Sequence, residues 1–176
     1  MKNKALFLDR DGVINIDYGY VYQIEKFAFT KGIFELLQLF LKKGYLLFIV
    51  TNQSGIGRGY YTQDDFFVLT QHMLAEFAKR KIRISEVKYC YHAPEENCAC
   101  RKPQTGMVDA ILKEYEIDLE NSWLIGDKQS DIDLAINSGI KHRIAIGERN
   151  IENMDYTFKD IEACYDYLIT QKIAHL

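Results

Sequence analysis

The chain has no excess of basic residues: 22 Lys and Arg stand against 25 Asp and Glu, for a formal net charge of −3. That balance excludes a strongly basic nucleic-acid binder. No apolar run approaches the ~18–20 residues that span a bilayer. The segment from Met1 to Leu8 enters a strand-like stretch with no signal-peptide pattern, so a cytoplasmic protein with no membrane partner is expected. Repeats, low-complexity tracts and linkers are missing as well, and 176 residues suit one domain over 1–176, with a monomer expected at this size. Disorder is excluded by 48% hydrophobic content under balanced charge. Cysteine is sparse and uneven: Cys90, Cys98 and Cys100 fall close together, and Cys164 stands far downstream. In a cytoplasmic chain such clustering points to a metal before a disulfide.

Short apolar runs alternate with longer segments of helical period, the pattern of a parallel sheet with helices on both faces. Strands are predicted at Ala5 to Leu8, Tyr45 to Val50, Val87 to Tyr91, Trp123 to Ile125 and Ile144 to Ile146. Several are apolar at consecutive positions, as a strand covered on both faces requires. Helices are predicted at Ile33 to Lys43, Asp64 to Lys81 behind an N-cap at Thr62, Met107 to Tyr115, Asp131 to Asn137 and Ile161 to Ile173. Ser138-Gly139 supplies a helix stop. Cys164 shares an apolar face with Ile161 and Leu168 and reads as a buried thiol.

In such sheets ligands bind beyond the carboxyl ends of the strands, so the residues after each apolar run mark the candidate site. Asp9-Arg10-Asp11-Gly12 follows the first run, Thr51-Asn52-Gln53-Ser54-Gly55 the second and Gly126-Asp127-Lys128 the fourth, with Asp131 beyond. Asp9, Asp11 and Asp127 would converge, and like charges that close repel strongly. A divalent cation relieves this, and few hard oxygen ligands with room for water suit Mg²⁺. Asp-x-Asp-Gly alone would equally read as a turn. Joined with Thr51 and Lys102, it reads as a cradle for a phosphoryl group.

Cys90-x-His92 followed by Cys98-x-Cys100 offers three thiolates and an imidazole, a full tetrahedral set for a structural Zn²⁺. The spacers are tighter than the common Cys-x-x-Cys, and buried or surface thiols with a stray histidine are the plainer alternative. Because Arg101 and Lys102 follow directly, such a loop would fix both.

Asp9-Arg10-Asp11-Gly12-Val13-Ile14-Asn15, Thr51-Asn52-Gln53-Ser54-Gly55, Cys100-Arg101-Lys102-Pro103 and Gly126-Asp127-Lys128-x-x-Asp131 resemble the four ordered motifs of the haloacid dehalogenase (HAD) superfamily of phosphohydrolases. The resemblance implies a three-layer, doubly wound α/β fold. It makes Asp9 the nucleophile, Asp11 the general acid and base, and Thr51 and Lys102 holders of the phosphoryl oxygens. Asp9, Asp127 and the main-chain carbonyl of Asp11 would bind Mg²⁺, with Asp131 in support. Neither the interval from Asp11 to Thr51 nor that from Asn52 to Arg101 has room for a cap domain. The loops Asp17 to Tyr22, Gln53 to Arg58 and the segment ending at Arg101 would then select the substrate.

The Cys/His cluster is similar to that of the histidinol-phosphatase-related branch, which acts on sugar bisphosphates or histidinol phosphate. Asp17-Tyr18-Gly19-Tyr20-Val21 and Asn52-Gln53-Ser54-Gly55 resemble the sugar-bisphosphate members, although the run between His92 and Cys98 is short. Arg58, Arg101 and Lys128 suit a second phosphate, whereas a positively charged amino-alcohol phosphate would rather meet carboxylates. Asp17, Tyr20, Asn52, Gln53 and Ser54 complete the expected substrate contacts. Two other classes are disfavoured: a zinc-containing nucleic-acid module would need a basic surface, and a phosphoacceptor signalling protein would have less use for Asp11.

Overall fold

The computed structural model of the chain describes residues 2–171. Six parallel strands form one sheet in the order β3-β2-β1-β4-β5-β6. The strands are β1 (Ala5–Leu8), β2 (Leu46–Asn52), β3 (Glu86–Cys90), β4 (Trp123–Gly126), β5 (His142–Ile146) and β6 (Tyr156–Phe158). The helices are α1 (Ile33–Lys42), α2 (Ser54–Gly57), α3 (Gln63–Lys79), α4 (Gly106–Glu114), α5 (Gln129–Ser138) and α6 (Ile161–Thr170).

β1 and β4 are buried along their whole length because each is flanked by strands at its sides and helices above and below. On one face Leu6, Leu8, Leu47, Ile49, Trp123 and Ile125 pack against α1, α3 and α6. On the other, Ala5, Phe7, Phe48, Val50 and Leu124 pack against α4 and α5. Phe7 stacks on Phe48 with ring centroids 5.4 Å apart. Fully burying a ring of this kind contributes roughly 1.5–3 kcal/mol. Cys164 is buried beside Ile161 and Leu168, as its place on α6 predicts.

The structure adds β6, whose three residues at the sheet edge are too few to carry a periodicity. It also lengthens β2 through Thr51 and Asn52, since Thr51 and Asn52 pair with Tyr89 and Cys90 of β3. The helix expected from Asp131 begins at Gln129, and α6 ends at Thr170; Lys172 and Ile173 lie outside the described residues. α3 opens at the expected cap: Thr62 Oγ1 accepts from the Asp65 N–H at 3.1 Å, and Asp65 accepts in return from the Thr62 N–H at 2.8 Å. Between β1 and β2 lie a 3-10 turn at Ile24–Lys26 and α1; between β2 and β3 lie α2 and α3. Neither interval holds a cap domain among the described residues. No described helix is long and apolar enough to cross a membrane.

Candidate active site

β1 and β4 are neighbours from which the chain departs in opposite directions, so their carboxyl ends open a crevice. Asp9 follows β1, Asp127 follows β4, and Asp131 lies in the first turn of α5. One carboxylate oxygen from each falls within 4.8 Å of the others. Two glycines permit this approach. A Cβ on Gly126 would stand 2.1 Å from the Asp131 Cβ, and one on Gly12, where φ is +87°, would stand 2.4 Å from the Asp127 Oδ2.

Lys102 enters the group from the loop after β3. Its buried Nζ lies 2.9 Å from Asp9 Oδ1 and 2.6 Å from Asp131 Oδ1, and donates to the Val50 carbonyl at 2.9 Å. Asn52 clamps the same residue's backbone, accepting from the Lys102 N–H at 3.0 Å and donating to its carbonyl at 3.3 Å. Asp131 Oδ2 accepts from the N–H groups of Asp127 and Lys128, both at 3.1 Å. Both of its oxygens are thus engaged in holding the frame.

Three buried carboxylates meet one fully buried ammonium, Lys102, while Lys128 and Arg149 reach Asp127 from more exposed positions. Burial pushes Asp9 up to about 7, with repulsion from Asp131 adding to it. Burial likewise raises Asp127, against the pull of Lys128. Asp127 Oδ1 is buried and makes no hydrogen bond, with Lys128 Nζ 3.7 Å away, while its Oδ2 is taken by Arg149 at 2.6 Å. A carboxylate oxygen that makes no hydrogen bond, beside the carboxylates of Asp9 and Asp131, fits a divalent cation with hard oxygen ligands.

The Asp11 carboxylate stands apart from this group. The expectation that the side chains of Asp9, Asp11 and Asp127 meet therefore differs from the geometry, which assembles Asp9, Asp127 and Asp131. Asp11 Oδ1 accepts from Arg10 Nη2 at 2.9 Å and Asn15 Nδ2 at 3.0 Å, and Oδ2 accepts from Gln53 Nε2 at 3.0 Å. Burial alone would raise this carboxyl, but Arg10, Asn15 and Gln53 outweigh it and hold it below the usual range. The Asp11 side chain is thus committed to Arg10, Asn15 and Gln53.

Asp11, Asp17, Tyr20, Asn52, Gln53, Ser54, Arg101, Lys102 and Lys128 line one 320 Å³ cleft. Thr51 is buried beneath it, its Oγ1 accepting from Gln53 Nε2 at 2.8 Å. Gln53 is itself buried and tied to Tyr61, Thr51 and Asp11, so it orients neighbours more than it reaches outward. Lys128 Nζ lies 3.5 Å from Asp17 Oδ2. Arg101 Nη1 is buried and without a hydrogen-bond partner. Arg58 departs from the group: it is not among the cleft-lining residues and sits 3.9 Å from Glu95.

The Cys/His residues converge. Cys90 Sγ lies 3.4 Å from Cys98 Sγ and 3.0 Å from Cys100 Sγ, and His92 Nδ1 lies 3.6 and 3.3 Å from Cys90 and Cys100. A disulfide needs about 2.05 Å, and the four thiols are free. Zinc bonds of about 2.3 Å to sulfur and 2.0–2.1 Å to nitrogen would separate tetrahedral ligands by roughly 3.5–3.8 Å, so the donor set fits with slight expansion.

The HAD-hydrolase-like family model matches residues 99–145. A D-glycero-alpha-D-manno-heptose-1,7-bisphosphate 7-phosphatase from Campylobacter jejuni is 53% identical over 86% of this chain and 87% of its own. The chain belongs to the heptose-1,7-bisphosphate 7-phosphatase family of HAD-like hydrolases. The beta-anomer phosphatase of Helicobacter pylori is 52% identical over 82% of this chain and 84% of its own. The structure of D,D-heptose 1,7-bisphosphate phosphatase from B. bronchiseptica, complexed with magnesium and phosphate, shares the fold at a TM-score of 0.83. It is 23% identical, covering 95% of this chain and 98% of that one.

In this member of the heptose-bisphosphatase family, three residues at the site escape sequence reasoning. Asn15 holds Asp11 and was legible only as the end of its motif. Tyr61 donates to Gln53 Oε1 at 2.5 Å, and burial raises its hydroxyl to about 12. Arg149 reaches Asp127 from the loop after β5. Neither Tyr61 nor Arg149 belongs to a motif, and only the fold brings them near.

Proposed function

We propose that this chain removes the 7-phosphate of D-glycero-D-manno-heptose 1,7-bisphosphate through an aspartyl-phosphate intermediate. It acts as a cytoplasmic monomer with magnesium as catalytic cation and zinc as structural ion. A reducing compartment suits free thiols that ligate a metal. One observation carries the reading: Asp9 sits at the sheet's switch point with Lys102 on its Oδ1, beside a cleft that presents Arg101 and Lys128.

Bound magnesium, held by Asp9, Asp127 and the Asp11 carbonyl, would supply positive charge to the phosphoryl oxygens and draw Asp9 into its ionised form. The Asp9 contacts with Lys102 and the Arg10 N–H both fall on Oδ1, which leaves Oδ2 as the attacking atom. As Oδ2 bonds to phosphorus, the bond from phosphorus to O7 of the sugar breaks and the leaving oxygen takes a proton from Asp11. Asp11 is held ionised by Arg10 in the free protein, and an arriving phosphoryl dianion favours its protonated form. In the second step Asp11 takes a proton from water as the water oxygen attacks phosphorus. The bond to Asp9 then breaks and inorganic phosphate leaves. Thr51 and Lys102 stabilise the charge on the phosphoryl oxygens in both steps. Arg101 and Lys128 meet the second phosphate, which a histidinol phosphate lacks. The product, heptose 1-phosphate, suits conversion to a nucleotide-activated heptose.

The test is phosphate release from both anomers of the heptose bisphosphate and from histidinol phosphate. The better bisphosphate is expected to exceed histidinol phosphate by about 10²-fold or more in kcat/KM, a difference of about 2.7 kcal/mol. Asp9→Asn should have no measurable turnover. Equal use of histidinol phosphate, or an active Asp9→Asn enzyme, would refute the reading.

A further inference from the structure

Arg149 belongs to none of the four motifs, yet it makes two contacts with one proposed metal ligand. From the loop after β5, its Nη1 donates to Asp127 Oδ2 at 2.6 Å and to the Asp127 main-chain carbonyl at 3.1 Å. The same nitrogen therefore bridges the carboxylate and the backbone of one residue, which fixes the side-chain torsion of Asp127. The other oxygen, Oδ1, is buried and makes no hydrogen bond, with Lys128 Nζ 3.7 Å away. Arg149 and Asp127 together line a 420 Å³ cavity that adjoins the cleft and shares Asp17 with it. The Arg149 side chain is 54% exposed there, so the contact is made from the solvent side and needs nothing from the substrate.

We infer that Arg149 is a positioning residue for the catalytic metal: it anchors Asp127 Oδ2 so that Oδ1 is presented to the cation. This rests on the proposed magnesium site. Two physical effects of Arg149 oppose each other, which makes the inference decidable. As a nearby positive charge it disfavours a cation. As the partner that orients a ligating carboxylate it favours one, and loss of such partners typically weakens metal binding about 10–100-fold. The bridging geometry, together with an Oδ1 that makes no hydrogen bond and is left to face the cation, favours orientation.

Calorimetric titration of the metal-free full-length protein with Mg²⁺, without substrate, tests this directly. Arg149→Ala is expected to weaken Mg²⁺ binding about 10-fold or more, and Arg149→Lys to recover part of the loss. In turnover assays the Mg²⁺ concentration for half-activation should rise by the same factor, while KM for the bisphosphate at saturating Mg²⁺ stays at the wild-type value. Arg143→Ala, which removes a contact with Asp155 away from the site, should leave Mg²⁺ affinity unchanged. Thermal melting of each variant reports on folding. Unchanged or tighter Mg²⁺ binding by Arg149→Ala would overturn the positioning role while leaving the proposed function standing. A wild-type protein that binds no Mg²⁺ would overturn both.

Discussion

Asp9 and Asp11 are two positions apart and carry the same functional group, but their surroundings drive them in opposite directions. Asp9 is buried beside Asp131 and is raised; Asp11 is buried against Arg10 and is lowered. Two carboxyls separated in this way can divide nucleophile and proton carrier between them. Arg101 shows the same dependence on surroundings. Its Nη1 is buried in the cleft wall with no protein acceptor, and a charge-assisted hydrogen bond to a buried partner is worth about 1.5–3 kcal/mol. Arg101→Ala should therefore lower kcat/KM for the heptose bisphosphate about 10–100-fold and affect a monophosphate far less. Parallel kinetics on both substrates check this, and equal losses would remove Arg101 from second-phosphate recognition.

At the scale of elements, the Cys/His loop is tied to the end of β2 and to α2. The Gln53 N–H donates to the Cys90 carbonyl at 2.7 Å and the Gly57 N–H to the Tyr91 carbonyl at 2.9 Å. A Cβ on Gly57 would stand 2.6 Å from the Ala93 nitrogen, so α2 packs directly on the loop. Lys102 follows two residues after Cys100 and is clamped by Asn52 at the end of β2. Stripping the proposed zinc with a chelator is expected to lower turnover and to erode the preference for a bisphosphate, since Arg101 and Lys102 would lose their anchor. Metal analysis must confirm that zinc has left. Unchanged turnover and preference after its loss would separate the loop from catalysis.

Across the whole molecule, the site depends on the central strands being immovable. β1 and β4 are buried throughout, and the Asp9 N–H donates to the Ile125 carbonyl at 3.0 Å, locking the ends that carry Asp9 and Asp127. Phe7 lies mid-strand in the core between the sheet and α4 and α5. Phe7→Ala should cost about 3–5 kcal/mol. For a chain of this size each kcal/mol lowers Tm by about 2–4 °C, so a fall of about 6–20 °C is expected by calorimetry. Thermal inactivation should shift with it, because the carboxylates proposed as catalytic follow the strand that loosens. A melting shift below about 3 °C would show that the sheet centre tolerates the cavity.

The central strands were legible because burial on both faces demands consecutive apolar residues, as in Ala5 to Leu8 and Trp123 to Ile125. The carboxylates of the candidate site were legible because short motifs immediately follow those strands. β6 was not, since Tyr156–Phe158 is short and its pairing with β5 is a tertiary event. Arg58 was read as a substrate contact from its charge and loop, but Glu95 lies beside it and the cleft opens elsewhere. The local chemistry of each strand end, and hence the kind of reaction, is a property of the chain read in order. Which oxygens meet is not: packing turns the Asp11 carboxyl toward Arg10, brings Asp131 onto Lys102 and carries Arg149 to Asp127. Those distances depend on the relative placement of segments far apart in the chain, which only the assembled sheet and its helices determine.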